Sequence, residues 1–171
     1  MKKIFIYLLF FYINNLYADK NIINEKISNW YSNLCSSNIE GVVSLYSSNI
    51  TFLPTTSKII IKDLKGVRDY FIAVNEKYKK FVITKCELLS PEIIFLNTDT
   101  VIVTGIDEFE GKIKNENDES LNIRGIRKKT ISKIKIENDN SFYIKGKQSF
   151  IFKKENTDWK IIHHHRSNMP K

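Results

Sequence analysis

Cysteine, proline, glycine and arginine are all scarce in this 171-residue chain, which holds two, three, six and four of them. Each shortage narrows what the chain can be. Cys35 and Cys86 stand far apart and outside any metal-ligand or redox spacing, so thiol-based metal or redox chemistry has no motif to rest on. Lysine supplies 23 of the 27 basic residues and is spread through every segment, part of a background in which Ile, Asn and Lys make up 67 positions. A net charge of +8 attracts anions and acidic surfaces over a distance. The clustered arginines and interleaved aromatics of a nucleic-acid reader are missing, so no nucleic-acid partner is expected. Long apolar runs are missing as well: nothing after the first eighteen residues approaches the roughly 20 needed to span a bilayer. The length suits one domain with a real core and is too short for two comfortable ones.

What is present begins with a leader. Lys2 and Lys3 precede an apolar run from Ile4 to Ile13, and Leu16-Tyr17-Ala18 offers a small residue for cleavage. Residues 1–18 therefore read as a signal peptide and residues 19–171 as the exported domain, with an uncleaved anchor as the alternative. A periplasmic or secreted location follows, with no stable membrane insertion after processing. An oxidising compartment would permit a Cys35–Cys86 bridge, although two buried thiols fit the sequence equally well.

Three- and four-residue steps between Ile23, Ile27, Trp30, Tyr31 and Leu34 predict an amphipathic helix over 21–36. A short helix is expected over 39–46, then a strand through "NITFLPTTS" that enters a turn at Pro54. Asp63 caps a third helix, whose apolar side is Leu64, Val67, Tyr70, Phe71, Val74 and Tyr78. Beyond residue 80 β-branched and aromatic residues take over, with strands expected over 81–89, 98–110, 122–137, 141–152 and 159–165. The polar stretch "KIKNENDESLN" reads as a solvated loop. Helices first and a meander of strands after them describe an α+β domain, a curved antiparallel sheet wrapped around helices.

The only histidines are His163, His164 and His165. In an unbroken strand Trp159, Ile161, His163 and His165 share one face, and Lys160, Ile162, His164 and Arg166 the other. Three consecutive imidazoles therefore do not converge on one ion. A zinc site built on His163 and His165 would need a third ligand, for which Asp107, Glu108 or Cys86 are candidates and none is singled out. No metal is expected. Each histidine is either a hydrogen-bonded filler of the core or a proton carrier beside a small substrate.

The stretch "FIFKKENTDWKIIHHHRSNMP", together with "ISNWYSNL", "VVSLYSSNITFLPTTS", "GVRDYF" and Gly105, resembles the family named for the association domain of calcium/calmodulin-dependent protein kinase II. The likeness is strongest to its stand-alone secreted bacterial and algal members. It implies a nuclear-transport-factor-like cone, with helices packed into the hollow of a bent sheet around a pocket, and self-association to a dimer or larger ring. That branch includes iota-class carbonic anhydrases, some of which work without a metal. The resemblance thus implies carbon dioxide hydration with no cofactor. His164, His165 and Ser167 would be catalytic, and Tyr31, Thr55, Thr104, Asp107 and Arg166 would line a bicarbonate-sized pocket. The alternative is a non-catalytic oligomerisation or small-ligand-binding protein of the same fold.

Departures from the pattern are specific. Arg166 stands where the ending usually has its first serine, and Asp107 where a tyrosine follows the mid-chain glycine. Lys147, Gln148 and Ser149 replace arginine, tyrosine and threonine. A carboxylate in an anion pocket repels bicarbonate unless a cation neutralises it. The direction in which Arg166 and Asp107 point therefore separates a retained polar site from an assembly surface.

Overall fold

The computed structural model describes the backbone of residues 2–78, 81–113, 135–136 and 141–169, and the side chains of 19–76, 81–112 and 141–169. In chain order the elements are α1 (Lys2–Cys35), α2 (Ile39–Val43), β1 (Tyr46–Leu53), α3 (Leu64–Tyr78), β2 (Phe81–Phe95), β3 (Thr100–Ile113), β4 (Lys135–Ile136), β5 (Ser141–Glu155) and β6 (Asp158–Asn168). The side chains of the leader and most of the expected strand over 122–137 lie outside the described residues. Of that strand, Lys135 and Ile136 pair with Tyr143 and Phe142. Among the described residues no helix is long and apolar enough to cross a membrane.

Local chemistry sets the helix ends. Ser37 takes a left-handed conformation (φ 59°). Its N–H then reaches the Leu34 carbonyl, and that of Asn38 reaches Asn33, closing the orphan carbonyls of α1. The Asn38 side chain accepts from Gly41 N–H and starts α2. Asp63 does the same for α3, its carboxylate accepting from Gly66 N–H at 2.7 Å, as the sequence leads one to expect. The apolar stripe of α1 is buried as its spacing requires: Ile23, Ile27, Trp30 and Tyr31 face the sheet. Residue 46, expected at the end of a helix, instead opens β1.

The strand order is β1-β6-β5-β3-β2, with β4 beside β5. The sheet is mixed rather than wholly antiparallel, because β1 runs parallel to β6. No hairpin joins these two strands, which come from opposite ends of the domain, so nothing forces them to alternate in direction. The other pairings among β2, β3, β5 and β6 are antiparallel. The sheet is curved and unclosed, and its concave face holds the core. Trp30, Tyr46, Phe52, Phe71, Phe150 and Phe152 meet there with Val101, Val103 and Ile161, all at most 4% exposed. A disulfide between Cys35 and Cys86, with Cα atoms 6.3 Å apart, ties the end of α1 to β2 and settles which of the two thiol states this fold adopts.

One irregularity decides which histidines face inward. Phe152 pairs with Ile161 and Ile151 with His163, so Ile162 is an extra residue without a partner. A bulge of this kind shifts every later side chain to the other face. Trp159 and Ile161 point inward and so does His164, with burial running inward at 159, 161 and 164. The simple alternation expected for β6, with His163 and His165 beside Trp159 and Ile161, is thereby corrected.

Candidate functional site

Three strands bring their inward side chains to one end of the cone. Asp107 of β3 pairs across the sheet with Gly146 of β5, and Gly146 with Asn168 of β6. Arg166 reaches over this gap, Nε and Nη2 bound to the two carboxylate oxygens of Asp107, the Nη2 contact at 2.9 Å. Asp107 is wholly buried and the Arg166 side chain is 19% exposed. A Cβ on residue 146 would lie 2.7 Å from both Arg166 Nη2 and Asp107 Oδ1, so only glycine lets the fork close over the strand. Phe109 supports the guanidinium from below, 5.6 Å from ring centre to Cζ. Thr55, in the turn after β1, donates to the Arg166 carbonyl at 2.8 Å and accepts from Nη1 at 3.4 Å. The permanent cation thus neutralises the buried carboxylate in the bidentate geometry that guanidinium favours.

Tyr31 stands against this pair. Its hydroxyl is buried and has no hydrogen-bond partner among the described residues. Burial first, and the Asp107 carboxylate second, push its pKa well above the ordinary tyrosine value, so it is a protonated donor at any physiological pH.

His164 lies deeper, stacked on Phe52 at 4.3 Å between ring centres and packed on Phe150 at 4.6 Å. Nδ1 is 2.7 Å from the Tyr46 hydroxyl, Nε2 is 2.8 Å from the Gln148 amide nitrogen, and Trp30 Nε1 donates to Tyr46 at 3.0 Å. Gln148 donating to Nε2 requires Nδ1 to carry the ring proton, which leaves Gln148 Oε1 without a donor. A half-turn of that amide gives a continuous chain, Trp30 to Tyr46 to His164 to Gln148, and leaves the amide nitrogen in place of the oxygen without a partner. Either way Gln148 keeps one unpartnered polar atom inside the cone. Burial, then the charge of Arg166, holds the His164 pKa well below the ordinary histidine value. It is a neutral, fully bonded member of the core with no route to solvent.

The anticipated residues therefore divide. Tyr31, Thr55, Asp107, Arg166 and His164 belong to the concave side. Thr104, His165 and Ser167 fall on the outer side by strand alternation: Thr104 pairs with Glu92 and Ser149, His165 with Ser149 and Leu53, Ser167 with Lys147. The three residues assigned a catalytic role are not brought to one point, since His164 is separated from His165 and Ser167 by the sheet itself. The zinc ligands considered for His163 and His165 do not meet them either. Asp107 is on the opposite face, Cys86 is in the disulfide, and Glu108 is held by Lys85 at 2.8 Å and Lys145 at 3.1 Å. Those lysines, Lys85 first, draw the Glu108 pKa down to about 2. Among the described residues no group of three His, Cys, Asp or Glu side chains could hold a metal ion.

Tyr46 and Gly146 were not anticipated as parts of this arrangement, and Gln148 entered only as a departure from the family's tyrosine. A signal for Gly146 and Gln148 existed: in "GKQSFIF" Gly146, Gln148, Phe150 and Phe152 alternate on one face, and a lone amide in a buried aromatic row needs a partner.

No family model matches the chain, and no curated protein sequence does. Solved structures do. The association domain of Caenorhabditis elegans CaMKII superposes with a TM-score of 0.60 at 14% identity, covering 88% of this chain and 96% of that one. The CaMKII hub homology domain of Chlamydomonas reinhardtii gives 0.62 at 12%, covering 89% and 99%. A ketosteroid isomerase-like protein from Erwinia carotovora atroseptica gives 0.61 at 10%, covering 88% and 96%. At these identities the likeness is one of fold, the NTF2-like cone, and it agrees with the fold implied by the ending. The fold carries both enzymes and association domains, so it does not select between them.

Proposed function

We propose that this chain is an exported, non-catalytic cone protein that binds a small polar ligand beside Tyr31 and assembles with copies of itself. The Arg166–Asp107 pair carries the reading. Where the ending usually has its first serine, this chain has a guanidinium whose Nε and Nη2 are held by an internal carboxylate. The neutralised pair no longer attracts bicarbonate as a bare cation would. His164 has neither the protonation range nor the access to carry protons. The Tyr31 hydroxyl and the free polar atom of Gln148 are left to hold a ligand by hydrogen bonds.

Assembly is supported by the outer face of the sheet. Ile94, Ile102, Ile151, His163 and Thr51 lie in one cross-strand row, followed by Glu92, Thr104 and Ser149, with His165 and Leu53 at the end of that row left outside the contact. These two rows carry one charge, Glu92, and the next row, Leu89, Ile106, Lys147 and Ser167, adds one more before the Glu87, Glu108 and Lys145 row is reached. A half-apolar sheet face of this kind suits packing against a second sheet. Two neighbours in fold are named as a CaMKII association domain and a CaMKII hub homology domain. Export is supported by the leader over 1–18 and by the Cys35–Cys86 disulfide, which persists in oxidising compartments.

Stopped-flow measurement of carbon dioxide hydration, with and without chelator, together with light scattering tests this reading. Hydration at the buffer rate and an oligomer that Ile151→Lys dissociates are the expected results. Carbon dioxide hydration is the second reading, favoured by the free Tyr31 hydroxyl. Hydration above the buffer rate that Tyr31→Phe abolishes would establish it and overturn the first.

A further inference from the structure

A cavity of about 410 Å³ lies between the loop after Leu53 and the last residues of β6, with Thr55 and Arg166 also on its lining. Its walls are pre-formed. Phe52 and Ile61 exchange backbone hydrogen bonds at 2.8 and 2.9 Å, closing the intervening eight residues into a loop. Ser57 accepts from Ile59 N–H at 3.1 Å and donates to the Ile59 carbonyl at 3.0 Å, and Thr55 ties the loop to the Arg166 carbonyl. This leaves little ordering for a ligand to impose.

The lining is one-sided in chemistry. Lys58, His165, Arg166, Ser167 and Asn168 border the cavity, and among the described residues no Asp or Glu does. Arg166 is held by Asp107, but the side chains of Lys58, His165, Ser167 and Asn168 have no hydrogen-bond or ion-pair partner among the described residues, whereas elsewhere Lys26, Lys65, Lys85 and Lys154 are all paired with carboxylates. Beside these donors Ile59 and Ile60 are 72% and 52% exposed, isoleucines that the fold leaves in water at the rim. The loop wall carries the Lys58 cation beside the bare Ile59 and Ile60, and the β6 wall an imidazole, a hydroxyl and an amide; donors on both walls with an aliphatic rim match a molecule with an anionic head and an apolar body.

We infer that the cavity between the Leu53–Ile60 loop and His165–Asn168 is a binding site for a small amphipathic monocarboxylate. The carboxylate lies against Lys58, His165 and Ser167, and the hydrocarbon covers Ile59 and Ile60. The site adjoins the Arg166–Asp107 pair, sharing Thr55 and Arg166 with it, and His165 and Ser167, which do not reach the concave side, acquire a role here. Its size suits a short-chain acid rather than a long one.

Titration of ¹⁵N-labelled protein with sodium hexanoate, followed by NMR, tests the assignment, with hexanol, hexylamine and acetate as probes lacking charge, correct sign and apolar body. Hexanoate is expected to shift the amides of Lys58–Ile60 and His165–Asn168 with at least tenfold higher affinity than the other three. Lys58→Glu is expected to weaken it at least tenfold, Ile59→Ser severalfold, and Tyr31→Phe not at all. Lys58 and Ile59 are exposed, so those two variants fold. Equal binding of hexanol and hexanoate, insensitivity to Lys58→Glu, or shifts centred on Tyr31 and Gln148 would each overturn the inference. The last outcome would place the ligand in the cone and leave the reading of that site standing.

Discussion

Strand β6 serves two environments at once, and the contrast between its faces explains most of this molecule. On the concave side His164 is stacked between aromatic rings with both nitrogens engaged, and Arg166 is locked to Asp107. On the convex side His165 and Ser167, each one residue away, have no such partners and border an open cavity. Chemically similar residues are fixed and neutralised inside and left available outside. A polar group in the core must be satisfied to be tolerated, while one at the surface keeps its bonding capacity for something else.

Breaking the inner pair gives the largest effect. Arg166→Met leaves the wholly buried Asp107 carboxylate without its cation and should cost about 3–5 kcal/mol of unfolding free energy in urea melts. Adding Asp107→Leu should recover most of that loss, because a matched apolar pair removes the uncompensated charge. A double variant as unstable as the single one would mean the pair is not the source. Gly146→Ala attacks the same contact through space alone, since its Cβ would press on both partners. A loss of about 1–3 kcal/mol is expected, measured the same way.

The pH dependence of stability sharpens the contrast next. His164 is held well below its ordinary pKa by burial, so between about pH 6.5 and its folded pKa the unfolded chain binds a proton that the folded chain refuses. Stability is therefore full above pH 6.5 and falls as pH drops, by about 1.4 kcal/mol per unit for one such group. His163, also lowered by burial, contributes in the same direction. Urea melts from pH 7.5 to 5 should show this slope, and a flat profile would mean His164 accepts a proton in place.

Much of this was legible in the sequence, and the reasons it was not complete are physical. The helical stripe from Ile23 to Leu34 and the Asp63 cap depend on local spacing, so they were read correctly. The fold followed from the order of elements and the ending. The face assignment of β6 failed because a single unpaired residue, Ile162, inverts the alternation. A bulge is set by how two strands register, which no pattern within one strand records. The same limit applies to Gly146, whose importance lies in a side chain arriving from a neighbouring strand, and to Tyr46, placed by β1 against a histidine 118 positions away.

Tyr31→Phe tests the cost of an unsatisfied group inside. The hydroxyl has no partner, so its removal loses no bond and relieves burial of a lone donor; a gain of about 1 kcal/mol is expected. A loss instead would reveal a hydrogen bond made in solution.

The smallest effect belongs outside. Thr104 faces away from the core between Glu92 and Ser149, and its hydroxyl carries no hydrogen bond among the described residues. Thr104→Ala should leave monomer stability within about 0.5 kcal/mol, measured under dilute conditions where no oligomer forms. The same substitution should raise the concentration at which copies associate, because Thr104 sits in the middle of the outer band. A change in monomer stability as large as that of Gly146→Ala would place Thr104 inside the packed region after all. The two faces of the sheet would then no longer differ as their burial indicates.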